Sequence, residues 1–400
     1  MRIILFAGKG GVGKTSMAAA TGVNIARRGQ KTLVMSLDPA HSLADIFDLN
    51  RGLMDKNRGK PVAVDNDLWI QELDVQEEIK QNWGEVYRYL AILLNVSGFD
   101  EILAEELAIL PGMDEVSALL YINKYIREQS YQVIILDCAP TGESLRFISI
   151  PTALEWYIKK IFHLERQIFK VVRPVARRMT TIPLPEDEYF AALQRLFDRL
   201  EGVDRLLADP NVTTVRLVTN PEKVVLKESQ RAFMYFCLYQ MVVDGVIINR
   251  IFPTALADHF FHYWKQNQEE YLELAHTRFA PVPIFPVEFF DREVVGLESL
   301  TRLSQAIYGD RQPEDILYRE SPYRFEKSDG VYTLAIRLPF IGAEDVSLGK
   351  TGEELVIRVG GFKRHVLLPR NMAALEPQGA KFEGDYLNIR FGGVGDDRPA

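Results

Sequence analysis

The chain has 400 residues, 47% of them apolar and 26% charged, with a formal net charge of −8. Such a length and balance suit a globular protein of two or three domains, and the negative charge argues against nucleic-acid binding as the main role. Only two cysteines occur, Cys138 and Cys237, with no C-x-x-C pair, which excludes a disulfide framework and an intrachain four-cysteine zinc site. Both read as small buried residues. No apolar run is long enough to span a bilayer, and the first motif leaves no room for a signal or transit peptide, so a cytoplasmic location is expected.

Residues 3–6 read as a short buried strand that leads into Gly8-Lys9-Gly10-Gly11-Val12-Gly13-Lys14-Thr15, with a helical pattern from Ser16. Strand, glycine-rich turn and helix form the context of a phosphate-binding loop. The glycines let several backbone N–H groups converge on one anion, and the helix N-terminus adds its positive end. A nucleotide phosphate is the expected ligand. Lys14 is expected at the β- and γ-phosphates, the Thr15 hydroxyl on Mg²⁺, and Ser16 at the α-phosphate. Lys9 has two readings: a solvated loop lysine, or the extra lysine of the deviant loop seen in dimeric ATPases, which crosses to the partner's nucleotide.

A second buried strand over 32–36 runs into Asp38-Pro39-Ala40-His41-Ser42. A carboxylate at the carboxyl end of a parallel strand sits where ligands bind in open α/β sheets, so Asp38 is the candidate for orienting or deprotonating the attacking water. Asp45 is a lesser candidate and is expected to cap the following helix. Residues 68–73 suggest a third strand. A helical pattern over 77–129, interrupted at Pro111-Gly112-Met113-Asp114-Glu115, precedes a strand over 132–136 and Asp137-Cys138-Ala139-Pro140-Thr141-Gly142. An apolar strand ending in Asp fits a Walker-B carboxylate, so Asp137 is assigned to Mg²⁺, and Gly142 is expected to bring a backbone N–H to the γ-phosphate.

Residues 151–172 read as a helix. Lys159, His163, Arg166, Lys170, Arg173 and Arg177 form a basic stripe beside a wide apolar arc of Leu154, Ile158, Ile161, Phe162, Ile168, Phe169 and Val172. Three readings stand open: a helix packed on its own domain, a wall of a groove for another hydrophobic helix, or a membrane-surface element. A further helix is expected to end near Leu207.

Strands over 214–218 and 245–248, a helix over 227–241, a strand near 281–285 and a helix over 297–308 complete an alternating pattern, which predicts α/β architecture with a doubly wound parallel sheet. Residues 309–322 read as a polar linker. Short alternating runs at 331–338, 345–348, 354–359, 362–368 and 386–391 then predict a small all-β sandwich over 323–392, with a frayed tail over 393–400.

Taken together, GKGGVGKT, the Asp38-Pro39-Ala40-His41-Ser42 stretch, Pro111-Gly112-Met113-Asp114-Glu115 and the Asp137 to Gly142 motif resemble the arsenite-pump and tail-anchored-protein-targeting ATPases over residues 1–308. The resemblance implies a P-loop fold with a deviant Walker A motif and helical inserts at about 77–129 and 151–208. It also implies a homodimer sandwiching two ATP molecules, with Asp38 as catalytic aspartate, Asp137 as magnesium aspartate, Asn249 as adenine reader, and Pro286 also at the nucleotide. Inserted helices in this family form a composite hydrophobic client groove. The chain departs from both well-known branches: it has one phosphate loop, no cysteine metalloid site and no interface C-x-x-C, so no zinc is expected. Gly361 to Pro369 and Gly384 to Ile389 resemble the α-crystallin domain of small heat-shock proteins, without an I-x-I tail. That fusion is similar to the bacterial and plastid branch of the targeting-factor homologues.

The expected function is that of an ATP hydrolase whose nucleotide state controls a groove for amphipathic or membrane-protein helices. The rivals are the motor of an anion or metalloid efflux system and a positioning ATPase that binds a membrane surface directly.

Overall fold

The computed structural model describes residues 1–38, 42–73, 113–157, 187–255, 261–328 and 330–392. The chain divides into two compact units, one of Met1–Ile3, Thr15–Leu206 and Val294–Ser304, the other of Ile4–Lys14, Leu207–Glu293 and Gln305–Ala400. Strand β1 (Arg2–Ala7) and helix α1 (Lys14–Arg27) each begin in one unit and continue in the other. The basic stripe and the apolar positions from Ile158 to Val172 lie outside the described residues.

In the first unit, β2 (Thr32–Ser36), α2 (Leu43–Ile46), α3 (Arg51–Asn57), β3 (Val62–Asp65) and β4 (Leu68–Glu72) follow α1. After them come α4 (Met113–Arg127), β5 (Val133–Asp137), α5 (Thr141–Tyr157), α6 (Asp187–Leu200) and α7 (Val203–Ala208). The strand order is β3-β4-β2-β5. Val34 on β2 is opposite Ile70 and Ile135 in parallel register, and every residue of β2 and β5 is buried, as strands covered on both faces require. The edge strand β3 is antiparallel to β4 and was not expected from the sequence. Its four residues alternate only weakly and mostly face outward, so they carry little periodic signal.

Helices α4 and α6 pack through Met113, Val116, Leu120, Phe190, Leu193, Leu196 and Phe197. Side chains at these positions recur at three- and four-residue steps, which places them on one face of each helix. The Asn123 amide donates to the Arg199 carbonyl at 2.5 Å and closes the C-terminal end of α6.

The second unit continues from β1 through β6 (Thr213–Thr219), α8 (Lys223–Leu238), β7 (Val243–Ile251), α9 (His262–Phe279), β8 (Ile284–Glu288) and the end of α10 (Gly296–Tyr308), in strand order β1-β6-β7-β8. Strand β8 starts three residues later than expected, because Pro281 and Pro283 have no N–H to give a ladder. Arg216, fully buried in β6, reaches Asp244 at 3.4 Å, the Tyr308 hydroxyl at 3.0 Å and the Pro313 carbonyl at 2.6 Å. Asp244 also accepts the Leu317 N–H at 3.3 Å. The polar stretch 309–322 is therefore fastened to β6 and β7 by one buried cation and its counter-ion.

Beyond it lie β9 (Tyr323–Ser328), β10 (Val331–Arg337), β11 (Val346–Thr351), β12 (Glu354–Val359), β13 (Phe362–Leu367), α11 (Arg370–Ala373), β14 (Glu376–Glu383) and β15 (Tyr386–Gly392). They make two antiparallel sheets, β14-β15-β10-β9 and β11-β12-β13. Leu334, Ile336, Leu355, Ile357, Ile389 and Phe391 fill the space between them, and Met234 and Leu238 of α8 belong to the same core. The Tyr323 hydroxyl donates to the Leu238 carbonyl at 2.7 Å, and the Tyr235 and Phe362 rings lie 4.1 Å apart. Arg337 covers Phe233 and donates to the Ala280 carbonyl at 3.1 Å. Within this unit the β-sandwich is thus docked on α8 and on the end of α9.

Candidate nucleotide site

The turn after β1 depends on glycine at two places. Gly8 has φ +154°, and a Cβ there would overlap the Val218 carbonyl oxygen at the end of β6; Gly13 has φ +98°, and its Cβ would lie 2.6 Å from the Asn249 amide nitrogen. Between them Gly10 and Gly11 are exposed and Val12 is buried, so one side chain anchors a loop that otherwise presents backbone.

The two loop lysines behave differently. Lys14 is 6% exposed and its ammonium folds back to donate to the Lys9 carbonyl at 3.3 Å. Lys9 turns outward, its side chain 37% exposed, with its nitrogen 3.9 Å from a carboxylate oxygen of Glu228 on α8.

Asn249 stands near the carboxyl end of β7, where its amide nitrogen donates to the Val12 carbonyl at 2.8 Å and its amide oxygen accepts the Arg250 N–H at 2.8 Å. The residue expected at the adenine therefore clasps the loop. Pro286 is exposed in β8, directly opposite Ile248 of β7.

In the first unit, Thr15 and Ser16 start α1 and are half-buried. The Ser42 hydroxyl donates to the Thr15 hydroxyl oxygen at 3.3 Å. Asp38 follows β2, half-buried, its N–H donating to the Ser36 hydroxyl at 3.2 Å. Asp137 ends β5 fully buried, and its carbonyl accepts the Leu37 N–H at 2.9 Å, which ties the ends of β2 and β5 together. A buried carboxylate at a strand end and a threonine hydroxyl are hard oxygen donors of the kind Mg²⁺ takes beside phosphate oxygens. Gly142 is exposed in the first turn of the 17-residue helix α5, where N–H groups point along the axis toward an anion. Among the described residues no cluster of three His, Cys, Asp or Glu side chains is placed to hold a metal.

Asp45 does not cap a helix. It lies inside the four-residue α2, whose N-cap position is Ser42. Pro39, Ala40, His41, Pro111 and Gly112 are outside the described residues, as is the helical arc beyond Tyr157; Leu154 falls in the last turns of α5. Glu228 and Arg216 were not singled out from the sequence. Arg216 left a signal, a lone cation in the apolar strand TTVRLVT, whereas Glu228 is one polar residue on a mixed helix face and left none.

Comparison with known proteins gives two family matches, the Anion-transporting ATPase family over residues 1–309 and an HSP20-like domain found in ArsA over residues 329–391. An arsenical pump-driving ATPase 1 from Aquifex aeolicus is 51% identical, covering 97% of this chain and 99% of its own length. An arsenical pump-driving ATPase from Prosthecochloris vibrioformis is 36% identical over 98% of this chain and 96% of its own length. An ATPase get3 from Sclerotinia sclerotiorum is 27% identical over 77% of this chain and 89% of its own length.

Proposed function

The chain belongs to the ArsA anion-transporting ATPase family, with ATP hydrolysis as its activity and an HSP20-like C-terminal domain, and on that premise we propose that it works as a homodimer whose ATP state controls a groove for hydrophobic or amphipathic helices. The observation that carries the dimer is the division of labour between Lys14, folded onto its own loop, and Lys9, turned outward from it. One lysine suffices for the phosphates of its own subunit; an outward second lysine fits a nucleotide held by another.

In this reading residues 8–16 wrap the triphosphate with backbone N–H groups, and Lys14 leaves the Lys9 carbonyl to neutralise the β- and γ-oxygens. Thr15 and Asp137 would hold Mg²⁺, which when bound would neutralise phosphate charge. Asp38 orients the attacking water and accepts its proton, and the Gly142 N–H at the start of α5 reads the γ-phosphate. Loss of that phosphate releases α5, whose last residues, 151–157, begin the apolar segment read from the sequence, and this couples hydrolysis to the groove. No described helix is long and apolar enough to cross a membrane.

Solution mass with and without ATP and Mg²⁺ tests the dimer. A shift to twice the mass only with ATP, lost in Lys9→Ala, supports the reading; a monomer at every ATP concentration removes it. An efflux motor is the second reading, supported by the likeness to the Aquifex and Prosthecochloris arsenical pump-driving ATPases.

A further inference from the structure

Lys9 does not point into empty solvent. Its ammonium lies 3.9 Å from Glu228, whose side chain is 26% exposed in the second turn of α8. Seven residues on, and so on the same helix face, Tyr235 packs against Phe362 of the sandwich, and Tyr323 grips the Leu238 carbonyl. The carboxylate that meets Lys9 is therefore carried by a helix clamped two turns away.

We propose that Glu228 is a positioning residue of the ATPase cycle, holding Lys9 on its own subunit until a second, ATP-loaded copy offers a stronger anion. The inference rests on the crossing-lysine reading above. A triphosphate outcompetes a half-exposed carboxylate, since it offers several oxygens and more charge. The resting pair is weak enough to break in every cycle: exposed ion pairs bias an equilibrium by no more than about fivefold. Its consequence is a threshold, because each subunit must give up a local contact before it dimerises.

The test measures kcat, the ATP concentration for half-maximal hydrolysis, and ATP-dependent mass for the wild type, Glu228→Gln, Glu228→Asp and Lys9→Ala. Runs are made at about 50 mM and about 500 mM salt, which bracket strong and weak screening. Glu228→Gln is expected to lower the ATP needed for hydrolysis and dimerisation by about two- to fivefold at low salt with kcat unchanged, and the gap is expected to close at high salt. Glu228→Asp keeps the charge and is expected to stay near the wild type; a merely structural role for Glu228 predicts neither this rescue nor the salt dependence. An unshifted Glu228→Gln, or one with reduced kcat, overturns the proposal while an impaired Lys9→Ala leaves the crossing lysine standing. A Lys9→Ala variant that dimerises and hydrolyses normally overturns both.

Discussion

The Asn249 amide nitrogen donates to the Val12 carbonyl at 2.8 Å, joining residues 237 positions apart in the chain. This bond fixes the phosphate-loop backbone at Val12, whose own side chain is buried, against β7. Asn249→Ala is expected to loosen the loop and weaken ATP binding about fivefold, the equivalent of ~1 kcal/mol for one hydrogen bond. Titration calorimetry with a non-hydrolysable ATP analogue checks it. Asn249→Asp, which sets an acceptor against the carbonyl, is expected to bind more weakly still.

Asp137 is a fully buried carboxylate at the end of β5. Asp137→Asn keeps the shape and removes the charge that suits a cation. The variant is expected to fold, and to need at least about tenfold more Mg²⁺ for half-maximal hydrolysis, the equivalent of one charge-assisted contact worth ~1.5 kcal/mol. Unfolding curves without nucleotide check the first expectation and a Mg²⁺ titration of the ATPase rate the second.

Arg216 and Asp244 are both fully buried and hold the 309–322 stretch through Tyr308, Pro313 and Leu317. Burial works against the Arg216 charge, and Tyr308 and Asp244 outweigh it, so the guanidinium is held above its ordinary range. Arg216→Met leaves Asp244 buried without its counter-ion and is expected to cost about 3–5 kcal/mol. Arg216→Met combined with Asp244→Asn is expected to cost less than Arg216→Met alone. Denaturant midpoints of the wild type and the two variants measure the difference.

Burial pushes the Cys237 thiol up to about 12 from its ordinary 9.0, and raises the Tyr323 phenol above 10.0. Both are favoured in the protonated form when folded. Their contribution is complete below the ordinary values and is lost as pH rises toward the folded ones. Stability is therefore expected to fall from about pH 9 upward as the unfolded chain ionises first. Tyr323→Phe removes the bond to Leu238, costs about 1 kcal/mol near neutrality, and flattens the decline above pH 10. At neutral pH neither buried thiol is expected to react with a disulfide reagent until the chain unfolds.

The phosphate loop, Asp38 two residues past β2, Asp137 at the end of β5 and the buried strands of the α/β sheet were legible because each follows from a rule of short range. A glycine string sits between a strand and a helix, and an apolar run ends in a carboxylate. Helix α9 was not legible: its 18 residues bury only Gln268, Ala275 and Phe279, so no apolar stripe marks it. Edge strands failed for a related reason. In β9 only Tyr323 is buried, and β14 reads EPQGAKFE with a proline and a glycine, so neither alternates cleanly. The stretch 309–322 looked like a linker because its contacts are made by backbone carbonyls to an arginine about a hundred residues earlier, which composition cannot reveal. Asn249 was found by resemblance, while its hold on Val12 needed the fold.

The central claim is that ATP makes a dimer that binds apolar helices, and it is tested most directly with Asp38→Asn, which should bind ATP and hydrolyse it slowly. A labelled apolar helical peptide of about 20 residues, long enough to span a bilayer core, is titrated with this variant with and without ATP and Mg²⁺. A polar helical peptide of equal length serves as control. The account predicts saturable binding of the apolar peptide only with ATP, carried by a species of dimer mass. An ATP-bound dimer that ignores the apolar peptide, or takes both peptides equally, would contradict it.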